Sequence, residues 1–422
     1  MDNRLKEITE KIDDAIVKLN KKDFTINFFV VDTKGVPNGN TRYIYEMAKE
    51  LINNNYNCFM LYQQEKETIE FKVFDVIEPP HKKQNGDWSV VVRTKLNNEF
   101  VDKIKNGSET EIKKNKIGYI WEEELEVPFI GVRDWMGDEF ADIPHGSIGS
   151  ETIKVSTSDF LIIPELFANV MNQTKKLPCK RIILCQNLNF ITEFISLGTS
   201  WANFGIQDVI TTTEIQAEEI KDLFPNIKTK VINPSIPNYF RNNTDPKKIT
   251  ISTVVKDTSL LKKLVNQFYW KYPQYSWVTF MDLRNLSRES FANTLRESAI
   301  TVWMDDETYF GHSPVEAIKS GSIVIGKIPD TIPEWMYSED KTALSTNGLW
   351  FDNFRDVHKL IAQVIKLWLD DEIPVFITDE MEKMKNKYTT EDKQIQILNT
   401  IKEYTSERIT ELTEIKNKIE KQ

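Results

Sequence analysis

Apolar residues in this chain follow two alternating periods. Residues 1–22 place Leu5, Ile8, Ile12, Ile16 and Leu19 at helical spacing, which predicts an amphipathic helix. Short, mainly apolar runs then recur at 26–31, 58–62, 159–164, 180–185, 205–213 and 230–234, and again at 249–255, 277–281, 299–304, 322–326 and 348–351. Short runs with a continuous apolar centre are the mark of strands buried on both faces of a parallel sheet. Between them lie stretches of helical period at 41–53, 166–172, 214–224, 260–268, 291–298, 315–321 and 357–369. Strand and helix in alternation predict an α/β chain built on parallel sheets.

Residues 65–125 break this rhythm. The stretches 68–74 and 88–93 alternate apolar with polar residues, as half-exposed antiparallel strands do, and Pro79-Pro80 and Asn85-Gly86 between them are turn signals. An antiparallel β insertion in the first domain is expected there. A further strand is expected at 127–132, leading into a loop at 133–138. The polar stretch 241–248, with Pro246, marks the boundary between a first domain (23–245) and a second (246–380). The tail, 381–422, is helical and charged. Its irregular apolar set suits docking back onto the first domain, or pairing with a second chain to form an oligomer.

With 422 residues the chain can build two cores, and 40% hydrophobic with 28% charged residues describes a globular protein. A net charge of −10 argues against binding nucleic acid or an anionic membrane through overall electrostatics. Cys58, Cys179 and Cys185 are too sparse for a disulfide framework or a zinc site. The charged N-terminus does not read as a signal peptide, and no apolar run approaches the ~20 residues of a spanning helix. A cytoplasmic protein is expected. The four histidines, His81, His145, His312 and His358, have no metal-ligand spacing, and neither a P-loop nor a nucleophile elbow is present. No bound metal or cofactor is expected, although Asp305-Asp306 at a strand end is an acidic pair of the type that holds divalent cations.

The candidate chemistry clusters around Tyr-Phe-Gly-His-Ser-Pro-Val-Glu-Ala, 309–317, between the strands at 299–304 and 322–326. Gly311 frees the loop, Ser313 is the expected N-cap and Pro314 the first helical residue. Exposed amides at such a helix start, with the helix dipole, suit a phosphate, and Glu316 one turn in can accept hydrogen bonds from a ribose diol. Strand ends elsewhere add Glu165, Gln186 and Asn187, since ligands bind at the carboxyl ends of parallel strands. For Glu165 a helix cap or salt bridge is an equal alternative. The loop after the first strand, with Asn38, Gly39 and Asn40, is either a cleft loop or a plain βα turn.

The run 310–317, followed by Gly321, a hydrophobic strand and Pro333-Glu334, resembles the donor-sugar signature of retaining GT-B glycosyltransferases. That resemblance implies two Rossmann-like parallel-sheet domains facing across a cleft. It also implies transfer of a sugar from a nucleotide-diphosphate donor to an acceptor hydroxyl, with retention at the anomeric carbon and without a metal. In the family two glutamates stand eight positions apart. Glu316 matches the second, which holds the ribose; Thr308, with Glu307 beside it, stands where the first is found, near the donor sugar. The resemblance places Phe310 and the amides of Gly311, His312 and Ser313 at the donor, and Lys256 at the diphosphate. Ser252 or Thr253 stands where the family has an arginine, leaving Arg284 or Arg288 to supply that charge. Glu165 and Asn187 would face the reacting centre from the first domain, whose insertion either shapes acceptor choice or is decoration. Acceptors in this family are glycans, lipids, proteins or modified DNA bases. The competing reading is a catalytically degenerate scaffold of the same fold, acting in a larger assembly.

Overall fold

The computed structural model describes residues 3–30, 39–63, 76–77, 81–82, 88–96, 112–115, 118–127, 140, 142–148, 155–241, 247–284, 286–306 and 308–421. By packing, the chain divides into two compact units. One comprises Met1–Pro164, Lys176–Arg181 and Thr405–Gln422; the other comprises Glu165–Lys175 and Ile182–Tyr404. The change of sheet, by contrast, falls between residues 231 and 248.

The first unit begins with α1 (Asn3–Lys21), which buries Ile12, Ala15 and Leu19 but leaves Ile8 exposed. The buried stripe is therefore narrower than the sequence pattern implies. Strand β1 (Thr25–Val30) is followed by α2 (Gly39–Asn53) and β2 (Asn57–Gln63). Met47, Ala48 and Leu51 of α2 are fully buried, as their i, i+4 spacing requires. Gly39 and Asn40, expected in a loop, begin this helix instead. Asn38 lies outside the described residues, as does the strand expected at 68–74 and most of the one expected at 127–132.

After β2 come β3 (Val76–Ile77), β4 (His81–Lys82), β5 (Trp88–Leu96), β6 (Ile112–Asn115) and β7 (Gly118–Val127). All their pairings are antiparallel, the longest matching Trp88 with Val127 through to Leu96 with Tyr119. The chain then forms β8 (His145–Ile148), parallel to β2, and β9 (Phe160–Pro164), parallel to β1 on its other side. Buried Asp159 ties this region together by accepting from the amides of Thr25 (2.9 Å) and Ser156 (2.7 Å).

In the second unit, α3 (Ala168–Gln173) is followed by β10 (Lys180–Cys185), whose first two residues belong to the first unit. Next come α4 (Phe190–Phe194), β11 (Asp208–Thr211), α5 (Glu214–Leu223) and β12 (Lys228–Val231). The strand order of this seven-stranded parallel sheet is β12-β11-β10-β9-β1-β2-β8. Thr213 caps α5 by accepting from the Gln216 amide at 3.2 Å, the Thr-Glu-Ile-Gln stretch 213–216 having the residue pattern of a capping box. The Gln216 side chain, however, returns to the amide of Thr212.

The second sheet is formed by β13 (Lys248–Val255), β14 (Thr279–Asp282), β15 (Ser298–Met304), β16 (Ile323–Lys327) and β17 (Leu349–Phe351). All are parallel, in the order β14-β13-β15-β16-β17. Strand β15 is buried along its whole length, which explains why it reads as a continuous apolar run. Its mid-strand hydroxyl, Thr301, is satisfied on both sides by Ser252 and Ser322, each at 2.7 Å, and that of Ser298 at its start donates to the Thr294 carbonyl at 2.7 Å. The crossover helices are α6 (Thr258–Lys271), α7 (Arg288–Glu297) and α8 (His312–Lys319), and α9 (Phe354–Leu369) follows the last strand.

Two helices close the chain, α10 (Val375–Lys385) and α11 (Thr390–Glu420). Within the first unit the end of α11 is fastened by Arg408, which donates to the carbonyls of Thr157 (3.2 Å) and Pro178 (2.8 Å). Ion pairs Lys180–Glu411 (2.5 Å) and Lys416–Asp13 (2.6 Å) add to this. No helix among the described residues is long and apolar enough to cross a membrane.

Candidate active site

The loop from β15 into α8 lies at the carboxyl end of the second sheet. Strand β15 ends at Met304, and Asp305 pairs with Lys256, which follows β13, at 2.8 Å. Asp306 pairs with Lys327, the last residue of β16, at 2.5 Å. The acidic pair is thus neutralised by one lysine from each flanking strand. Among the described residues no group of three or more His, Cys, Asp or Glu side chains is arranged to hold a metal ion.

Helix α8 is capped differently from the expectation. Gly311, with φ of 71° and ψ of 75°, is the N-cap, so His312 is the first helical residue and Pro314 the third. Ser313 is therefore inside the helix and not its cap. The left-handed backbone at Gly311 favours glycine, and a Cβ there would meet the Trp303 ring at 3.2 Å. Gly311 offers no side-chain cap, and the first amides of an α-helix have no acceptor within the helix itself. Phe310 is buried, its ring edge-on to those of His312 and Tyr388, each with centroids 5.0 Å apart. Thr308 is half-buried, and Glu307 lies outside the described residues.

Glu316 is 1% exposed and accepts from the guanidinium of Arg288 in α7. Arg288 also donates to the Tyr239 hydroxyl at 3.1 Å and lies over the Phe240 ring, 4.6 Å from its centre. Arg288 is thus joined to the carboxylate proposed for ribose. Arg284 turns elsewhere, to Asp282 and the Thr258 hydroxyl. The partner of Glu316 was not foreseeable, because 28 residues separate the two and only the packing of α7 against α8 joins them.

Glu165, directly after β9, is also 1% exposed. Its Oε1 accepts from the Asn187 amide at 2.8 Å, while Oε2 is buried without a hydrogen-bond partner. Burial pushes its carboxyl up from 4.5 to about 7, although the amides of Asn187, Glu165 and Gln186 pull the other way. The structure therefore joins Glu165 to Asn187, as strand-end logic predicts, through the backbone of Asn187 and not its side chain. The Asn187 side chain accepts from the Asn189 amide, and Gln186 is half-buried.

Three residues make contacts that the sequence does not signal by spacing. Tyr309 donates its hydroxyl to Glu219 of α5 at 3.0 Å. Glu334 accepts from the Glu214 amide at the start of α5 (3.0 Å) and from the Asn233 side chain (3.3 Å). Its carboxyl is raised by burial and borders a cavity of about 440 Å3 whose other walls include Tyr388 and Gln396. The indole of Trp335 donates to the Phe310 carbonyl at 2.5 Å. Only the last two have a sequence signal, the Pro333-Glu334 pair that they flank or contain.

Solved structures of similar architecture cover nearly the whole chain. The pneumococcal O-GlcNAc transferase GtfA, in complex with UDP and GlcNAc, superposes with a TM-score of 0.55 over 90% of this chain and 99% of that one, at 11% identity. A TarM variant from S. aureus, in complex with fondaparinux, alpha-GlcNAc-glycerol and UDP, gives 0.53 over 90% and 99%, at 12% identity. The chain has the GT-B fold. Anabaena HepE in complex with UDP-glucose gives 0.50 at 10% identity, over 89% of this chain and 99% of that one. In sequence the chain is similar to an alpha-1,6-glucosyltransferase of Actinobacillus pleuropneumoniae serotype 7 (strain AP76), 22% identical over 202 residues. That match covers 44% of this chain and 61% of the enzyme's length. No family model matches the chain.

Proposed function

We propose that the protein is a retaining glycosyltransferase that moves a sugar from a nucleotide-diphosphate donor, a UDP-sugar, to an acceptor hydroxyl. The observation that carries this reading is the start of α8 behind a left-handed Gly311, at the carboxyl end of a parallel sheet. It is supported by the named activity of the sequence relative and by GT-B neighbours solved with UDP. In this reading the amides of Gly311, His312 and Ser313, with Lys256, neutralise the charge that develops on the leaving diphosphate. Glu316 takes the ribose hydroxyls by exchanging them for Arg288, and that guanidinium then supplies the charge that other members draw from the loop after the first strand of this domain. Thr308 lies toward the donor sugar. Glu165 and Asn187 meet the acceptor side, where a carboxyl titrating near neutrality can exchange a proton with a hydroxyl. No resident metal or cofactor enters the scheme. The acceptor is a glycan, lipid, protein or modified DNA base.

The test is thermal denaturation with UDP, GDP, ADP and CMP, followed by transfer assays with the matching sugars and NMR of the product anomer. Ligand at a hundredfold over Kd stabilises by about 2.7 kcal/mol. Stabilisation by UDP alone, with an α-linked product from an α-linked donor, is expected. An inverted product refutes retention. Indifference to every nucleotide refutes the enzyme and favours the scaffold reading, which the occupied carboxylate of Glu316 would then explain.

A further inference from the structure

Trp335 directly follows the Pro333-Glu334 pair and is 3% exposed. Its indole N–H donates to the Phe310 carbonyl at 2.5 Å. Its ring packs between those of Trp303, 6.3 Å away, and Trp350, 5.7 Å away, and Trp303 is the surface against which Gly311 lies. The backbone around Trp335 is itself braced. Its carbonyl accepts from the Asn347 side chain at 2.8 Å, and the neighbouring Met336 carbonyl accepts from the Ser345 amide at 2.7 Å. The Trp350 indole donates to a different carbonyl, that of Ser345, at 2.8 Å.

The orientation of one peptide follows from these contacts. The Phe310–Gly311 bond is trans, so its C=O and N–H point in opposite directions. With the carbonyl drawn onto the buried indole, the Gly311 N–H is turned away from the tryptophan layer. The chain then passes through the left-handed Gly311 into α8, whose first amides lack intrahelical acceptors. A peptide flip would reverse this, turning a carbonyl out and removing the first donor of the series.

We propose that Trp335 is a positioning residue for the donor diphosphate: its N–H fixes the Phe310–Gly311 peptide so that the amides of Gly311, His312 and Ser313 form one anion-facing row. This rests on the reading of that loop as the donor site. It adds a requirement from a residue that contacts no substrate.

The test compares the full-length protein with Trp335→Phe, with β-(3-benzothienyl)alanine at position 335, and with Trp350→Phe. The benzothienyl side chain keeps the shape of tryptophan and lacks the N–H, so it separates the hydrogen bond from the packing if Trp335→Phe fails to fold. Hydrogen–deuterium exchange is measured over residues 308–313 without ligand, and UDP binding by calorimetry. Faster exchange in both 335 variants is expected, with UDP bound about tenfold more weakly, the worth of roughly one hydrogen bond. In turnover the donor KM rises more than kcat falls. Trp350→Phe, whose N–H serves a different carbonyl, stays within about twofold of wild type. Unchanged exchange in the benzothienyl variant overturns the clamp, and equal weakening by Trp350→Phe reduces the effect to packing and also overturns it. If wild-type protein binds no UDP while exchange rises as expected, the donor reading fails, and the role toward the diphosphate fails with it.

Discussion

Replacing Glu165 by glutamine should change the protein's stability in a way that depends on pH. The carboxyl is fully buried, Oε2 has no partner, and its titration is moved from 4.5 to about 7. The folded chain holds this proton more tightly than the unfolded chain. Below pH 4.5 both states are protonated and the shift has no effect. Between 4.5 and about 7 stability falls as pH rises, and above 7 the folded state carries the whole cost of a buried charge. At about 1.4 kcal/mol per pH unit, that cost is on the order of 3 kcal/mol. Glutamine keeps an acceptor for the Asn187 amide and never ionises. Urea unfolding of wild type and Glu165→Gln at pH 5 and pH 8.5 isolates the effect, because all other titrating groups are common to both. The variant should be close to wild type at pH 5 and more stable by about 3 kcal/mol at pH 8.5. A stability difference that is the same at both pH values would refute the argument, since only ionisation of residue 165 changes it.

Other substitutions probe the remaining supports. Gly311→Ala forces a Cβ into a left-handed position 3.2 Å from Trp303, and should cost about 1–2 kcal/mol in thermal unfolding and weaken UDP binding. Arg288→Ala removes the ion-pair partner of a carboxylate that is 1% exposed, and should destabilise by about 3 kcal/mol in chemical denaturation. Adding Glu316→Gln to Arg288→Ala should recover part of that loss, and strict additivity would show that the two residues are not coupled. Arg408→Ala deprives the carbonyls of Thr157 and Pro178 of a charged donor, and should lower stability by about 1–3 kcal/mol, with faster hydrogen exchange confined to the end of α11.

The regular elements were legible because their signal is local. Strand β15 reads as strand from its own residues, since burial on both faces leaves no polar position after Ser298 except Thr301. The cap of α5 was legible for the same reason, Thr213 and Gln216 lying three residues apart. Boundaries were less so. Helix α8 starts at His312 because Gly311 adopts a left-handed turn against Trp303, and neither Ser313 nor Pro314 signals that contact. Helix α10 begins at Val375, six residues ahead of the tail expected from Met381, because Val375 and Phe376 are exposed and give the first turn no amphipathic stripe.

The sequence by itself determined the two parallel sheets, the glycine loop before α8, and the residue types available at the strand ends, because these follow from periodicity and from backbone freedom at single positions. Tertiary structure alone decided which groups those residues meet. It paired Glu316 with Arg288, left one oxygen of Glu165 buried and unpartnered, and set the indole of Trp335 against the Phe310 carbonyl. Hydrogen bonds and desolvation act over a few ångströms between residues that are 22 to 28 positions apart in the chain. Only the packing of the elements around them brings such residues within that range.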